Sequence, residues 1–416
     1  MNKFNLLLSC ACLPVLAFGQ CDGERYRYTS AFSASSVSYD VAYGSNINVY
    51  GVEEELVFDW YEPVGDFATD RPLVIMAHGG FFLGGSNDGA DVVPLCEDLA
   101  RMGYAVASIS YRLGVVNLLD LENELTRAVW RGVHDSRAAV RYFRASTEGG
   151  ANPWGIDPDQ IYLGGVSAGG FIALHHAYLD DESEIPTGID LSAAGLGGGI
   201  EGESGTPGAS SEVAGIFNIC GALKDVSWMQ PGDVPLVSVH GTADATVPYA
   251  TGQVSLMGFP VTEVNGSASV HAQADAIGLP NCFVPLEGAD HVPHVTDNAA
   301  YLTTLATVAG MLSTWACPDY SPQCGEYDYT SDLLERAPWL TQPRLYPNPA
   351  TAGAASQLVW SDAPAGAWTC VVRDMMGREV WSAQAQCARV EIPALAAGTY
   401  LVHVPAAHST FQWIVH

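Results

Sequence analysis

The sequence predicts an α/β fold, with a mainly parallel sheet covered by helices on both faces, followed by a small all-β domain. Apolar runs typical of buried strands recur at positions 73–77, 105–110, 160–163, 236–239 and 282–286. Between and after them, the spacing of apolar residues predicts helices at 127–144 and 301–315. Strands that alternate with helices along a chain indicate a parallel sheet.

The C-terminal region has a different pattern. Short stretches of alternating apolar and polar residues predict strands at 358–360, 369–372, 380–381, 390–392 and 399–404. We therefore expect a β-sandwich domain at 343–416, an α/β domain at 20–317 and a linker at 318–342. Residues 181–213 are rich in Gly, Ser, Pro and Glu, and this insertion is a candidate lid or a passive loop.

The composition is acidic and apolar. The 416 residues are 48% hydrophobic, and 17 basic against 46 acidic side chains give a formal net charge of −29. Such a surface repels nucleic acid and anionic lipid, so we expect no nucleic-acid partner.

The N-terminus resembles an export signal. Lys3 is followed by an apolar run and by the small-x-small site Ala17-Phe18-Gly19, which predicts a signal peptide at 1–19. The run is too short for a stable membrane span. We therefore expect a secreted or cell-surface protein.

Eight cysteines remain after the predicted signal peptide, and an even number in an exported protein favours disulfides. Pairing of Cys370 with Cys387 is the expected one, since both fall in the small C-terminal domain. No Cys-x-x-Cys spacing for zinc occurs in the mature chain.

The strongest chemical signal is Gly165-Val-Ser167-Ala-Gly169, between a predicted strand and an apolar helix. A tight strand-to-helix turn exposes the serine hydroxyl, and small flanking residues allow that turn. The start of the helix also favours negative charge nearby. Ser167 is therefore the predicted nucleophile.

A second signal is His78-Gly-Gly80-Phe81, directly after the strand at 73–77. Glycine lets the backbone approach a substrate, and the N–H groups of Gly80, Phe81 and Ala168 are the predicted oxyanion hole. Phe81 and Phe82 are expected as pocket walls. For His78 we favour a structural role over that of a base.

The serine needs a base and an orienting acid. Asp244 and His291 follow the strands at 236–239 and 282–286, where sites of open α/β sheets form. His294 is the alternative base and Asp225 the alternative acid, whereas Asp290 is expected to point away. His175 and His176 are expected to pack or face solvent, and Trp228 either lines a pocket or caps the sheet.

These residues together resemble the α/β-hydrolase superfamily and its carboxylesterase-like branch. The resemblance covers about 45–316 and includes Ser110-Tyr-Arg-Leu-Gly114 and Gly155-Ile-Asp-Pro-Asp159. It implies the α/β-hydrolase fold with an eight-stranded sheet, a Ser-Asp-His triad, and no cofactor or metal. Phe81 replaces the third glycine of the family's oxyanion loop. The short Asp-x-x-Val-Pro acid motif points to bacterial feruloyl- or acetyl-esterases rather than cholinesterases.

The C-terminal region resembles the type A sorting domain of the type IX secretion system, through Leu345-Tyr-Pro-Asn-Pro349, Asp374-Met-Met-Gly-Arg378 and Leu395-Ala-Ala-Gly-Thr-Tyr-Leu401. This implies export across an outer membrane, with the secretion machinery as partner. A carbohydrate-binding sandwich is the alternative.

These features predict a secreted serine carboxylesterase that acts on small-molecule or polymer esters, such as acetyl or feruloyl groups of polysaccharide. A polyester hydrolase, a serine peptidase of the same fold and a non-catalytic adhesion protein are the alternatives.

Overall fold

The computed structural model describes residues 20–256, 258–321 and 324–325, and, in the C-terminal region, 344–346, 355–359, 368–374, 378–385, 389–404 and 409–415. The predicted signal peptide, most of the linker and Cys387 lie outside these residues. Among the described residues, no helix is both long enough and apolar enough to cross a membrane.

The first part of the chain contains strands β1 to β5 and helices α1 to α3. In chain order these are β1 Ser35–Ile47, β2 Glu53–Pro63, β3 Arg71–Ala77, α1 Val93–Arg101, β4 Ala105–Ile109, α2 Leu121–Ser146, β5 Ile156–Val166 and α3 Ala168–Tyr178.

The rest of the α/β domain follows the insertion. Its elements are β6 Gly215–Ile219, β7 Ala222–Leu223, β8 Leu236–Gly241, β9 Thr251–Leu256, β10 Phe259–Gly266, α4 Ser267–Ile277, β11 Asn281–Leu286 and α5 Asn298–Ala316.

The central sheet has eight strands in the order β1-β2-β4-β3-β5-β6-β8-β11. Pairing is antiparallel between β1, β2 and β4 and parallel across the remaining strands. This strand order is that of the α/β-hydrolase fold, so the predicted fold class is confirmed. The strands β1, β2, β6, β9 and β10 and the helices α1 and α4 have no counterpart in the sequence prediction.

Helices cover both faces of the sheet because the central strands are apolar on both sides. On β3, Leu73 and Ile75 pack into the core beneath α2 and α3, whereas Val74 and Met76 pack into the core beneath α1 and α5. All four residues have no exposed surface. Continuous apolar runs of this kind are typical of parallel strands.

The insertion at 181–213 contains one short 3-10 turn, Glu182–Glu184, and is fastened to α2 by arginines. Arg141 donates hydrogen bonds to the carbonyl oxygens of Glu201, Ser204 and Thr206. Arg112, fully buried and paired with Asp135, donates to the carbonyl of Gly195. Hydrogen bonds from arginine side chains to main-chain carbonyls of the insertion thus hold the candidate lid against α2.

Among the described cysteines there are two disulfides: Cys21–Cys317 joins the N-terminal segment to the end of α5, and Cys282–Cys324 joins β11 to the segment after α5. Cys370, expected to pair with Cys387, is a buried free thiol, and Cys387 lies outside the described residues.

The C-terminal region consists of two small sheets, as the sequence predicts. Strands β12 to β18 are Arg344–Tyr346, Ser356–Val359, Trp368–Asp374, Glu379–Ala385, Arg389–Ile392, Gly398–Val404 and Ser409–Val415. The sheets have the orders β12-β13-β16 and β15-β14-β17-β18. Side chains from both sheets form one apolar cluster, which is the packing of a β-sandwich.

Candidate active site

Ser167 lies on a strained turn between β5 and α3, with φ 53° and ψ −110°. This left-handed backbone is unfavourable for a residue with a side chain and raises the hydroxyl above the end of the sheet. A Cβ atom at Gly169 would lie 2.0 Å from the carbonyl oxygen of Ala77, and one at Gly165 would lie 2.5 Å from the same atom. The close approach of β3 therefore requires both glycines of the motif.

The structure brings Ser167, His291 and Asp244 into direct contact. His291 Nε2 lies 2.8 Å from Ser167 Oγ, and His291 Nδ1 lies 2.6 Å from Asp244 Oδ2. Since Nδ1–H donates to the carboxylate, the lone pair on Nε2 is free to accept the serine proton. The three residues that the sequence selected thus form a continuous hydrogen-bonded chain.

Asp244 is held by donors on both of its oxygens. Its Oδ1 accepts hydrogen bonds from the backbone N–H groups of Thr246 at 2.8 Å and Val247 at 2.9 Å. Burial by itself would raise the pKa of Asp244, but hydrogen bonds from His240 and His291 outweigh it and hold the pKa well below its usual range. The carboxylate therefore keeps its negative charge beside the imidazole of His291.

His240 is a residue of the site that the sequence interpretation missed. Its Nε2 lies 3.2 Å from Asp244 Oδ2 and 3.2 Å from the carbonyl oxygen of Val247. Its Nδ1 lies 2.8 Å from Ser267 Oγ, which in turn accepts a hydrogen bond from Asn218. The network assigns the proton of His240 to Nε2, since the hydroxyl of Ser267 is free to donate to Nδ1. The only signal in the sequence is that His240 precedes Asp244 by four residues.

The oxyanion loop follows β3 and has left-handed backbone conformations at Gly80 (φ 120°), Phe81 (φ 57°) and Phe82 (φ 59°). A Cβ atom at Gly80 would lie 2.1 Å from the carbonyl oxygen of Gly84. Phe81 therefore keeps the backbone conformation that glycine favours, although the family's third glycine is absent.

The N–H groups predicted for the oxyanion hole are available to a ligand. Among the described residues, no acceptor is found for the N–H groups of Gly80 and Phe81. The N–H of Ala168 is the first of α3 and has no acceptor within the helix. Asp91 stabilises the loop, because its Oδ2 accepts a hydrogen bond from the N–H of Gly79 at 2.6 Å.

His78 supports this loop from below. It is 1% exposed, its ring stacks on Tyr111 at a centroid distance of 4.3 Å, and its Nδ1 donates to the carbonyl of Gly79. Burial lowers its pKa, so the ring stays neutral. Tyr111 also donates to the carbonyl of His78. These contacts fit a structural role for His78.

The alternative acid and base lie elsewhere. His294 is buried and its Nε2 contacts the carbonyl oxygen of Asp91, while Asp225 caps the 3-10 turn Val226–Trp228. Asp290 accepts hydrogen bonds from the N–H groups of Ala245 and His291, so it braces the loop without facing the imidazole.

His175 and His176 pack inside the domain. His175 accepts a hydrogen bond from the N–H of Lys224, and His176 contacts Ser136 Oγ and the carbonyl of Ser211. Burial lowers the pKa of His175 to about 4 and that of His176 to about 3, so both rings are neutral.

A small cavity adjoins Ser167, the predicted nucleophile, and is here called the nucleophile cavity. It is lined by Phe81, Phe82, Leu125, Ser167, Ala168, Phe171, Val247 and Val254. The predicted pocket residue Phe82 lies in its wall. Trp228, the other predicted pocket residue, does not line this cavity. Its ring packs edge-on against the ring of His175, with the centroids 5.7 Å apart.

Among the described residues, one group has metal-ligand types close together: Cys220, Asp244 and His291, whose ligand atoms lie within 4.8 Å of one another. Burial raises the pKa of Cys220 to about 12, so its thiol is protonated at neutral pH. The remaining two side chains already share a hydrogen bond. Both belong to the hydrogen-bonded chain that ends at Ser167.

The comparisons with known proteins agree with this chemistry. A family model described as BD-FAE matches residues 58–197, about a third of the chain. Mouse (Mus musculus) carboxylesterase 3B is 32% identical over 128 residues, which cover 30% of this chain and 21% of the mouse protein. Bovine (Bos taurus) bile salt-activated lipase is 29% identical over 157 residues, 36% of this chain and 26% of that protein. The chain thus spans about a quarter of the length of the curated relatives that it matches.

Solved structures of esterases also align with the α/β domain. The apo form of Thermogutta terrifontis esterase 2 is 23% identical, covers 71% of this chain and 100% of its own, and has a TM-score of 0.46. A truncated carbohydrate esterase from gut microbiota is 19% identical, covers 69% of this chain and 99% of its own, and also has a TM-score of 0.46. The fold assignment rests on the strand order described above.

Proposed function

We propose that this chain is a secreted serine carboxylesterase that cleaves carboxylic esters outside the cell through an acyl-enzyme on Ser167. The observation that carries the proposal is the imidazole of His291, hydrogen-bonded to Ser167 Oγ on one side and to Asp244 on the other. The match to BD-FAE and the similarity to carboxylesterase 3B support the ester as substrate.

In acylation, His291 Nε2 takes the proton of Ser167 as its oxygen attacks the ester carbonyl. The oxyanion faces the N–H groups of Gly80, Phe81 and Ala168, which are preorganised because the backbone fixes their direction. His291 then protonates the leaving alcohol. Asp244 orients the ring and stabilises its positive charge in this step.

In deacylation, His291 accepts a proton from water, which attacks the acyl carbonyl and releases the acid. Ser167 Oγ takes the proton back as the acyl–oxygen bond breaks. Every step uses groups within hydrogen-bonding distance of one another, so the chain's own residues supply the whole proton path.

The natural substrate is proposed to be an ester that the cell does not import, such as an ester on a polysaccharide or a polyester. Support comes from the residues, namely the signal-like segment at 1–19 and the sorting-domain motifs at 343–416. The acidic surface disfavours anionic polymers.

Covalent labelling tests the activity. A fluorophosphonate probe should label the wild-type protein but not Ser167→Ala. It should still label the control Ser192→Ala, which changes an exposed serine in the insertion at 181–213. Turnover of p-nitrophenyl acetate should fall on the order of 10⁴-fold or more in Ser167→Ala. Wild-type turnover in Ser167→Ala would overturn the proposal, and unlabelled wild type would favour an adhesion protein.

Two further measurements separate the remaining alternatives. His291→Asn should lose activity as Ser167→Ala does, whereas His294→Asn should retain most of it. A panel of acetyl, feruloyl, polyester and peptide substrates then separates an esterase from a peptidase, which would cleave the peptide fastest.

The export proposal has its own test. Residues 343–416 fused to a reporter with a signal peptide should bring the reporter to the surface or medium of a bacterium with type IX secretion. Retention of the fusion in the periplasm would contradict the sorting role.

A further inference from the structure

A second and larger cavity lies beside the nucleophile cavity, and we call it the side cavity. It spans about 540 Å³ of space free of protein atoms, part of which is open to solvent. Both cavities have Leu125 of α2 and Phe171 of α3 in their walls. These two side chains, 5% and 6% exposed, therefore stand where the cavities adjoin.

The side cavity runs along α3 away from the nucleophile. Phe171 is four residues and His175 eight residues after Ser167, which places them about 6 Å and about 12 Å farther along the helix axis. Both line the cavity, as does Leu179. The space is therefore deeper than an acetyl group requires.

The walls are mostly apolar and well fixed. Val129, Val133 and Val264 line the cavity, and Trp130 beside them is held because its Nε1–H donates to the carbonyl of Leu196 at 3.0 Å. His175 adds an uncharged ring that lies parallel to Phe171 and is backed by Trp228. Preformed apolar cavities of this kind bind apolar groups without a large ordering cost.

The position of the proton path determines which half of a bound ester can reach the side cavity. The leaving alcohol must face His291 Nε2, and the carbonyl oxygen must face the oxyanion loop. Phe171 and Leu125 line both cavities, so an acyl group that starts in the nucleophile cavity can continue past them into the side cavity.

We propose that the side cavity is the acyl-binding site and takes an elongated, mainly apolar acyl group, aliphatic or aryl, that enters past Leu125 and Phe171. This inference rests on the proposed esterase function. It predicts that medium-chain or arylalkenoyl esters are better substrates than acetyl esters.

A polar group closes one part of the side cavity. Lys224, one of only two lysines in the chain, donates from Nζ to Thr262 Oγ1 at 2.7 Å, and that hydroxyl donates to Glu122 at 2.7 Å. Lys224 and Thr262 both line the cavity. Nζ also donates to the carbonyl of Glu263 at 3.2 Å and lies 3.6 Å from Glu122 Oε1, so its three protons have acceptors within the protein.

Acyl selectivity tests the proposal. For wild type, kcat/KM should be higher for p-nitrophenyl octanoate or p-nitrophenyl cinnamate than for the acetate, and the better of the two identifies an aliphatic or an aryl acyl group. Thr126→Phe, which adds a ring to the wall from the half-buried face of α2, should lower the ratio of the long-acyl to the acetyl rate at least about tenfold, since hydrophobic pockets discriminate strongly by size.

The matched control is Thr303→Phe, the same substitution at a half-buried position of α5 on the opposite face of the sheet. This control should leave the ratio unchanged. Leu125→Ala, which widens the passage between the two cavities, should raise the ratio of the long-acyl to the acetyl rate.

Three results would overturn the proposal. One is a wild type that prefers the acetate, and another is an unchanged ratio in Thr126→Phe. The third is a selective loss with long-alcohol acetates instead of long-acyl esters, which would place the alcohol in the side cavity. If wild type neither hydrolyses any ester nor binds the fluorophosphonate, the proposed function itself fails.

Discussion

The two sides of the active site are held in place by different means. On the nucleophile side, Ser167 and the loop at Gly80 are fixed by strained backbone and by glycines that no larger residue can replace. On the acid–base side, Asp244 and His291 are fixed by hydrogen bonds, including those from the buried side chain of His240. The BD-FAE match at 58–197 contains the first side and stops before the second.

This difference explains why the nucleophile side is easier to recognise from sequence motifs than the acid–base side. A close backbone approach forbids side chains and leaves a run of glycines around the functional residue. A hydrogen-bonded network can be built from many polar residues far apart in the chain, so its members leave no fixed spacing.

On the acid–base side, the loss of activity should approach that of Ser167→Ala. Asp244→Asn should lower kcat about 10⁴-fold, because the amide no longer holds the required tautomer of His291. Thermal unfolding should show that the variant still folds. Asp290→Asn, which alters a neighbouring carboxylate that does not face the ring, is the control. A loss of less than tenfold in Asp244→Asn would assign the acid to another residue.

The next effect is expected on the nucleophile side, where stability should suffer together with activity. Gly169→Ala places a Cβ atom 2.0 Å from the carbonyl of Ala77, so β3 must move. We expect a loss of about 3 kcal/mol or more in the free energy of unfolding, at the upper end of the range for overpacked sites. Gly84→Ala, where nothing lies within 4 Å, should change it little. Equal stabilities in urea titrations would contradict the argument from close approach.

A smaller effect is expected from the network behind Asp244. His240→Leu removes a donor from the carboxylate and should lower kcat about tenfold, the value of one hydrogen bond to a charged group. More negative charge then faces the imidazole of His291, so the acidic limb of the pH–rate profile should move to higher pH. A purely structural role would lower the rate without moving the limb.

Ser267→Ala serves as the companion variant, since Ser267 orients His240 through Nδ1. It should shift the acidic limb in the same direction by a smaller amount. A shift in the opposite direction would contradict the proton assignment of His240.

The smallest effect concerns Phe81 in the oxyanion loop. Phe81→Gly and Phe81→Ala lose the same aromatic contacts, but only glycine removes the strain of the left-handed backbone at φ 57°. The glycine variant should be more stable by about 1 kcal/mol, the cost of this conformation for other residues. Chemical denaturation of both variants measures the difference, and a more stable alanine variant would contradict it.

The strand runs at 73–77 and 236–239 were predictable because parallel strands are apolar on both faces, and the observed β3 and β8 contain them. β1 was missed because it is an edge strand with many exposed polar residues, so its apolar pattern is weak. The location of Trp228 behind His175 depends on a short 3-10 turn after β7 that has no periodic signal.

The sequence by itself determined the fold class, the strained serine turn and the candidates Asp244 and His291, because glycines and apolar strands reflect constraints local to the backbone. Only the tertiary structure brought His240 and Ser267 behind the acid, tied the insertion at 181–213 to α2 and opened the side cavity along α3. Such features depend on side chains that meet only after packing, and most of these side chains lie far apart in the chain.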